Sequence, residues 1–422
     1  MNLERLSMKI TNLMKRYNFE WCLTAFVFLI VCIFLISQPI QRHITVNAST
    51  VLWIIGLLFL PTYMKNKNLK KEELQVYFLG AICFFISLAS WLNSPYFDFT
   101  IKPIEPDARF LLFPLTIIAI QYSKITFKHF SIALILGSAA YTWVTYNSID
   151  YRVRGDENAV TFGNGAMLLF ITSTCLIFFE KNKILKLCLT VAALGYFYAS
   201  YRSGTRGSFL AFIPLSLMSI YFLNKKQIIA ALFALLTVGA IFSQTPIANG
   251  LIIAYQNTSN YIVHKNTASS SGQRLDMWQA SWCFNKESPL LGKGPHQFKQ
   301  AILDHKRVCQ INITNGKGYY VQAHSFYFNA IATIGWLGLI SMLLFFIKII
   351  HYSLSLPLIA KVTIPATIIT FLSYSVTVDL LFQRYMADKH LTLLAILLGL
   401  ALNHKKYIKN KTIKAKAKED IF

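Results

Sequence analysis

The chain has 422 residues, 55% of them hydrophobic and only 14% charged, with a formal net charge of +23. That balance excludes an ordinary soluble globular enzyme and describes an integral membrane protein. The positive charge fits a rim facing anionic lipid headgroups, without any nucleic-acid partner.

In chain order, apolar segments fall at 20–37, 46–63, 75–93, 109–122, 129–146, 160–179, 185–200, 207–223, 227–243, 325–347, 358–378 and 388–403. Most approach the ~20 residues a helix needs to cross ~30 Å of hydrocarbon. None shows the polar–apolar alternation of an outer-membrane strand. The expected fold is therefore an all-α polytopic membrane protein of about twelve transmembrane helices, the segment at 109–122 being the shortest. No small-residue cleavage pattern precedes the first segment, which is expected to remain as an anchor.

Lysine and arginine in the short loops set the expected orientation. With the N-terminus cytoplasmic, 24 of the 41 basic residues lie inside, among them seven lysines of a tail at 404–422. The other 17 lie outside, and 8 of those belong to the long segment 244–324, to which the rule does not apply. Both termini are expected in the cytoplasm, with one membrane domain over 1–422 and 244–324 as its single large external loop. Cys283 and Cys309 both fall in that loop and read either as a disulfide or as two free thiols. No C-x-x-C or H-E-x-x-H spacing occurs, so no metal site is expected.

Within the loop, 269–295 carries a helix signal. Ser270 or Ser271 is placed to cap it, and Leu275, Trp278 and Trp282 recur at i, i+3 and i+7. Two tryptophans on one apolar face suit a membrane–water interface, with Arg274 bordering that face.

Several arginines gather on the external side against the charge bias: Arg109, Arg152, Arg154, Arg202, Arg206, Arg274 and Arg384, with His324 opening the tenth segment from the same face. A guanidinium is a permanently charged planar fork of donors, suited to phosphate oxygens, so the gathering points to a phosphorylated lipid or a diphosphate. The bland alternative is that each arginine snorkels to the interface or pairs with an acid such as Asp107, Asp156, Glu157 or Asp379. Taken singly, Arg109, Arg152 and Arg384 fit that alternative, whereas the sequence around Arg206 and Arg274 favours function. An imidazole at His324 is suited to accept a proton near neutral pH. His296 and His305 have weaker surroundings.

Three stretches, "SGTRGSFLA" (203–211), "SGQRLDMWQASWCFNKESPLLGKGPHQF" (271–298) and "AHSFYFNAIATIGWLGLI" (323–340), resemble in order and spacing the motifs of the bacterial O-antigen ligase and polymerase superfamily. The resemblance implies a multi-pass inner-membrane glycosyltransferase, GT-C-like in topology, working at the periplasmic face without nucleotide sugar, metal or other cofactor. It implies a glycan donor on undecaprenyl diphosphate and, for a ligase, a lipid A–core acceptor. By position it assigns Arg206 and Arg274 to the donor diphosphate and His324 to the acceptor hydroxyl, with inversion at the anomeric carbon. Arg154, Asp379 and Arg384 match less closely kept family positions that hold or brace substrate. Arg202 is an addition to the motif, either a further phosphate contact or, the favoured reading, an interfacial anchor. A polymerase would be expected to carry two sizeable external loops, and a protein O-oligosaccharyltransferase a larger C-terminal region, so ligase is the favoured reading. A glycolipid transporter would call for charged residues deep within helices and an internal repeat.

Overall fold

The computed structural model describes residues 19–66, 71–150, 152–156, 158–212, 215–216, 246–311, 313, 319–379, 381–382 and 384–419. Among them there are fourteen α-helices and no strand. They are α1 (Phe19–Ser37), α2 (Arg42–Asn66), α3 (Lys71–Leu92), α4 (Ala108–Ser123), α5 (Phe127–Asn147), α6 (Ala159–Phe179), α7 (Lys183–Arg202), α8 (Pro246–His264), α9 (Ser270–Glu287), α10 (Phe298–His305), α11 (Phe326–Thr333), α12 (Gly335–Ser353), α13 (Leu358–Tyr374) and α14 (Arg384–Glu419). Short 3-10 turns occupy Lys102–Ile104 and Arg206–Ala211. The apolar segment expected at 227–243, and most of that at 207–223, lie outside the described residues.

Seven of these helices are long and apolar enough to cross a membrane, and the pair α4–α5, bent by 113°, makes an eighth if it counts as one span. The bend has a local cause. Lys124 adopts a left-handed conformation (φ 56°) that ends α4, and a reciprocal cap between Thr126 and His129 starts α5.

Two helices form the centre. α6 is rich in small and hydroxyl residues, Gly163, Gly165, Ala166, Thr172 and Ser173, which let neighbouring backbones approach closely. α14 is buried along most of its apolar length, while peripheral helices turn Leu57, Phe78, Phe85 and Leu194 outward. Its basic continuation, 404–419, extends the same helix.

The head of α14 also carries buried charge. Arg109 donates from Nε to Asp388 at 2.9 Å and from Nη2 to the same carboxylate at 3.3 Å, with both side chains almost fully excluded from solvent. Nη1 donates to the Glu105 carbonyl, and the guanidinium carbon lies 5.5 Å from the Trp53 ring centroid. Every edge of this arginine is thus matched, as a buried cation requires.

The expected span 325–347 is broken. α11 ends at Thr333 and α12 begins at Gly335, whose φ of 69° favours glycine; a Cβ there would overlap the Leu290 backbone. The loop 289–294 fills the gap: Lys293 and Gly294 N–H donate to the carbonyls of Ala332 (2.9 Å) and Thr333 (2.8 Å), and Trp336 N–H donates to Pro289 (2.9 Å). Carbonyls left orphaned by the end of α11 are satisfied by a distant loop, which fixes that loop on the bundle.

The segment after α8 forms its own small core. Met277, Ala280 and Phe284 of α9 pack on Phe298, Ala301 and Ile302 of α10, and a disulfide joins Cys283 to Cys309 with Cα atoms 5.8 Å apart. This resolves the two alternatives for these cysteines. α9 therefore buries the stripe 277–280–284, not 275–278–282. Trp278 is only half-buried, stacked on Phe328 at 4.7 Å, while Trp282 meets Trp336 edge-on. The recurrence at i, i+3 and i+7 found a genuine face of the helix, but aromatic partners within the protein claim much of it.

Candidate functional site

Arg206 sits in a turn built by hydroxyl groups. Ser203 donates to the Ser200 carbonyl (2.6 Å), Thr205 donates to the Ala159 carbonyl (2.8 Å), and Ser208 donates to the Thr205 carbonyl (2.7 Å). Gly204 takes φ 62°, so the chain can reverse immediately after α7. A buried reversal needs its backbone polar groups satisfied, and the serines and threonine of "SGTRGS" do that locally.

That turn forms one wall of a cavity of about 540 Å³. Its lining includes Arg152, Arg202, Arg206 and Arg274, with Asp150 as the single carboxylate among the described residues, together with Thr205, Ser270 and Thr377. Ser270 and Arg274 come from the first two turns of α9, whose start is capped by Ser269 accepting from Gly272 N–H (3.0 Å), one residue before the expected cap. The positive end of the α9 dipole adds to the charge of the wall.

Asp150 is itself engaged: Arg154 Nε donates to it at 3.0 Å on the exposed rim. Arg154 does not line the cavity. Arg152, Arg202 and Arg274 have no carboxylate partner among the described residues. Partial burial, and then the charges of Arg206 and Arg152, lower the pKa of Arg274 from its ordinary value. Cations gathered in one recess form a site that attracts an anion.

His324 is held beside this wall and does not itself line the cavity. Trp278, one turn after Arg274, donates its indole N–H to the Ala323 carbonyl (3.2 Å), and Asn329 accepts from Ala323 N–H (3.2 Å). His324 takes φ 49°, an uncommon conformation for a residue with a side chain. Phe326 N–H then donates to Ser375 (2.9 Å) and Val378 (3.2 Å), joining this turn to the one between α13 and α14. Surrounding protein, and then the Arg274 charge, push the His324 pKa down to about 4, although the residue itself is exposed at the surface. The imidazole is neutral at physiological pH and free to accept a proton.

Asp379 lies buried in that last turn, two residues beyond Thr377 of the cavity wall. Burial holds its carboxyl well above the usual range, with Asp107 adding to the effect and a hydrogen bond from the Phe382 backbone opposing it. Arg384 opens α14, and its side chain lies outside the described residues. His305 faces Glu287 at 3.1 Å, away from the arginines of the wall.

The structure brings Arg202, Arg206 and Arg274 to one wall with His324 next to it, and adds Arg152, which the sequence read as an interfacial arginine. The available signal was the pair of arginines flanking Val153, which is fully buried. Both flanking side chains point outward, and nothing local tells which one reaches the cavity.

Residues 189–343 match the family model described as O-antigen ligase. Over that stretch the chain is similar to the O-antigen ligase family. The matched stretch contains Arg206, Arg274 and His324, together with the turn, helix and loop that hold them. An uncharacterized protein of Haemophilus influenzae is 26% identical over 322 residues, covering 72% of this chain and 79% of that protein. The family groups membrane enzymes of the glycosyltransferase kind, and the helices described above supply the multi-pass membrane body such an enzyme needs.

Proposed function

We propose that this protein is an O-antigen ligase, transferring a glycan from undecaprenyl diphosphate to a sugar hydroxyl of the lipid A–core. The observation that carries the proposal is the cavity wall of four arginines facing one already paired carboxylate. Cations gathered in one recess attract a multiply charged anion, and a diphosphate is one.

In the reaction, Arg206 and Arg274, aided by Arg202, hold the diphosphate and offset the negative charge that grows on it as the anomeric C–O bond breaks. The acceptor hydroxyl oxygen attacks the anomeric carbon from the opposite face, and configuration inverts. His324 takes the hydroxyl proton. Its pKa of about 4 reflects the surrounding protein and the neighbouring Arg274 charge. A bound diphosphate counters that charge and raises the basicity of the imidazole when it is needed. Arg154 neutralises Asp150 at the mouth, and Asp379 and Arg384 brace the acceptor side.

The same reading gives about twelve spans in a GT-C-like arrangement in the inner membrane, with both termini cytoplasmic and 244–324 in the periplasm. The Cys283–Cys309 bridge supports that sidedness, because disulfides persist in oxidising compartments.

The test is deletion of the gene followed by gel analysis of lipopolysaccharide. A ligase predicts loss of the whole ladder with lipid-linked polymer accumulating. A single-repeat product would instead indicate a polymerase, and an intact ladder with an unglycosylated pilin a protein transferase.

A further inference from the structure

Arg152 differs from the other arginines of the wall in being tied to the turn it faces. Its Nε donates to the Ser203 carbonyl at 3.1 Å, and the next residue, Val153, donates its N–H to the Arg202 carbonyl at 3.2 Å. Two hydrogen bonds therefore strap 152–153 across the reversal that presents Arg206. Gly204, the left-handed residue of that reversal, packs beneath the Arg152 side chain, where a Cβ would come within 3.2 Å of Nε. The other guanidinium nitrogens make no hydrogen bond or ion pair among the described residues, although Arg152 lines the cavity and its charge reaches Arg274.

A guanidinium has two donor edges, so it can hold a carbonyl with one and an anion with the other; an ammonium is a point charge and cannot do both in a fixed plane. We propose that Arg152 is a diphosphate ligand whose orientation is set by the Ser203 carbonyl, coupling the seating of the donor to the position of Arg206. This rests on the reading of the cavity as a diphosphate site. Its neighbour Arg154 serves the same anion indirectly, by occupying the one carboxylate of the lining. Asp150 and Arg152, contributed from between α5 and α6, are thus part of the donor site, although they precede the matched family domain.

The test uses the full-length protein in nanodiscs, measuring the Kd of undecaprenyl diphosphate, with thermal melting as the control for folding. Arg152→Gln can keep a donor on Ser203 without the charge; Arg152→Lys keeps the charge without the fork. Both are expected to weaken binding by about tenfold while melting like the parent protein, in line with loss of one charge-assisted contact. Unchanged Kd in Arg152→Gln would overturn the proposal, and so would unchanged Kd in Arg152→Lys, since charge alone would then suffice. Arg206→Ala separates the two readings. If it weakens binding while both Arg152 variants do not, only the role of Arg152 falls. If it binds undecaprenyl diphosphate as the parent does, the cavity is not the diphosphate site.

Discussion

Arg109 and Arg274 show one side chain in two opposite settings. Arg109 is sealed from solvent and matched on every edge, by Asp388, the Glu105 carbonyl and the Trp53 ring. Arg274 is half-buried against other arginines, with no carboxylate partner among the described residues. The first arrangement is complete without any ligand and joins α4 to α14. The second leaves the Arg274 charge open to the cavity. An arginine at a membrane rim reveals its purpose through its company, since the side chain alone is the same in both cases.

The largest expected effect lies on the finished side. Arg109→Ala takes its arginine contacts from the buried Asp388 carboxylate, and breaking a buried pair in this way costs about 3–5 kcal/mol. Melting of the detergent-solubilised protein should fall sharply, and the paired change Arg109→Met with Asp388→Leu should recover much of the loss. If Arg109→Ala melts normally, the contrast between the two regions collapses.

On the cavity side the same kind of truncation should spare folding and remove chemistry. Arg274→Ala and His324→Ala are each expected to lower glycan transfer by about 100- to 1000-fold. Melting of Arg274→Ala should be unchanged or slightly higher, because a repulsion is relieved. Full transfer in either variant would remove the role assigned to that residue.

A smaller effect is expected in the pH profile. A base works unprotonated, so activity is lost as pH falls through its pKa. With His324 at about 4 in the free protein, transfer efficiency at limiting donor should stay level from neutral pH to about 5, whereas a histidine at its ordinary 6.5 would already decline. A decline centred near 6.5 would show that the surrounding protein and Arg274 do not act on the ring as described.

The smallest concerns the backbone. At φ 49° a glycine is more comfortable than an alanine, so His324→Gly should be more stable than His324→Ala by about 1 kcal/mol while remaining equally inactive. Equal stability of the two would mean that the left-handed turn is not retained without the imidazole.

Much of this architecture was legible in the sequence, for physical reasons that differ from element to element. Long apolar runs specify helices directly, and α1, α3, α6 and α7 begin and end within a few residues of their expected bounds. "SGTRGS" was legible because a buried reversal needs its hydroxyls and glycine close together in the chain. What escaped depended on partners remote in sequence. The break after Thr333 is made by a loop some forty residues upstream, and the buried carboxylate that holds Arg109 is the distant Asp388, not the nearby Asp107. Arg152 and Arg154 flank the same buried valine, and only the three-dimensional path of the turn after α7 tells them apart.

The stacking of Trp278 on Phe328, with the indole N–H on the Ala323 carbonyl, has a mechanical meaning. It makes the first half of α9 and the turn at His324 into a single lever. Any displacement of that lever carries Arg274 and His324 together, so the spacing between the two side chains survives it.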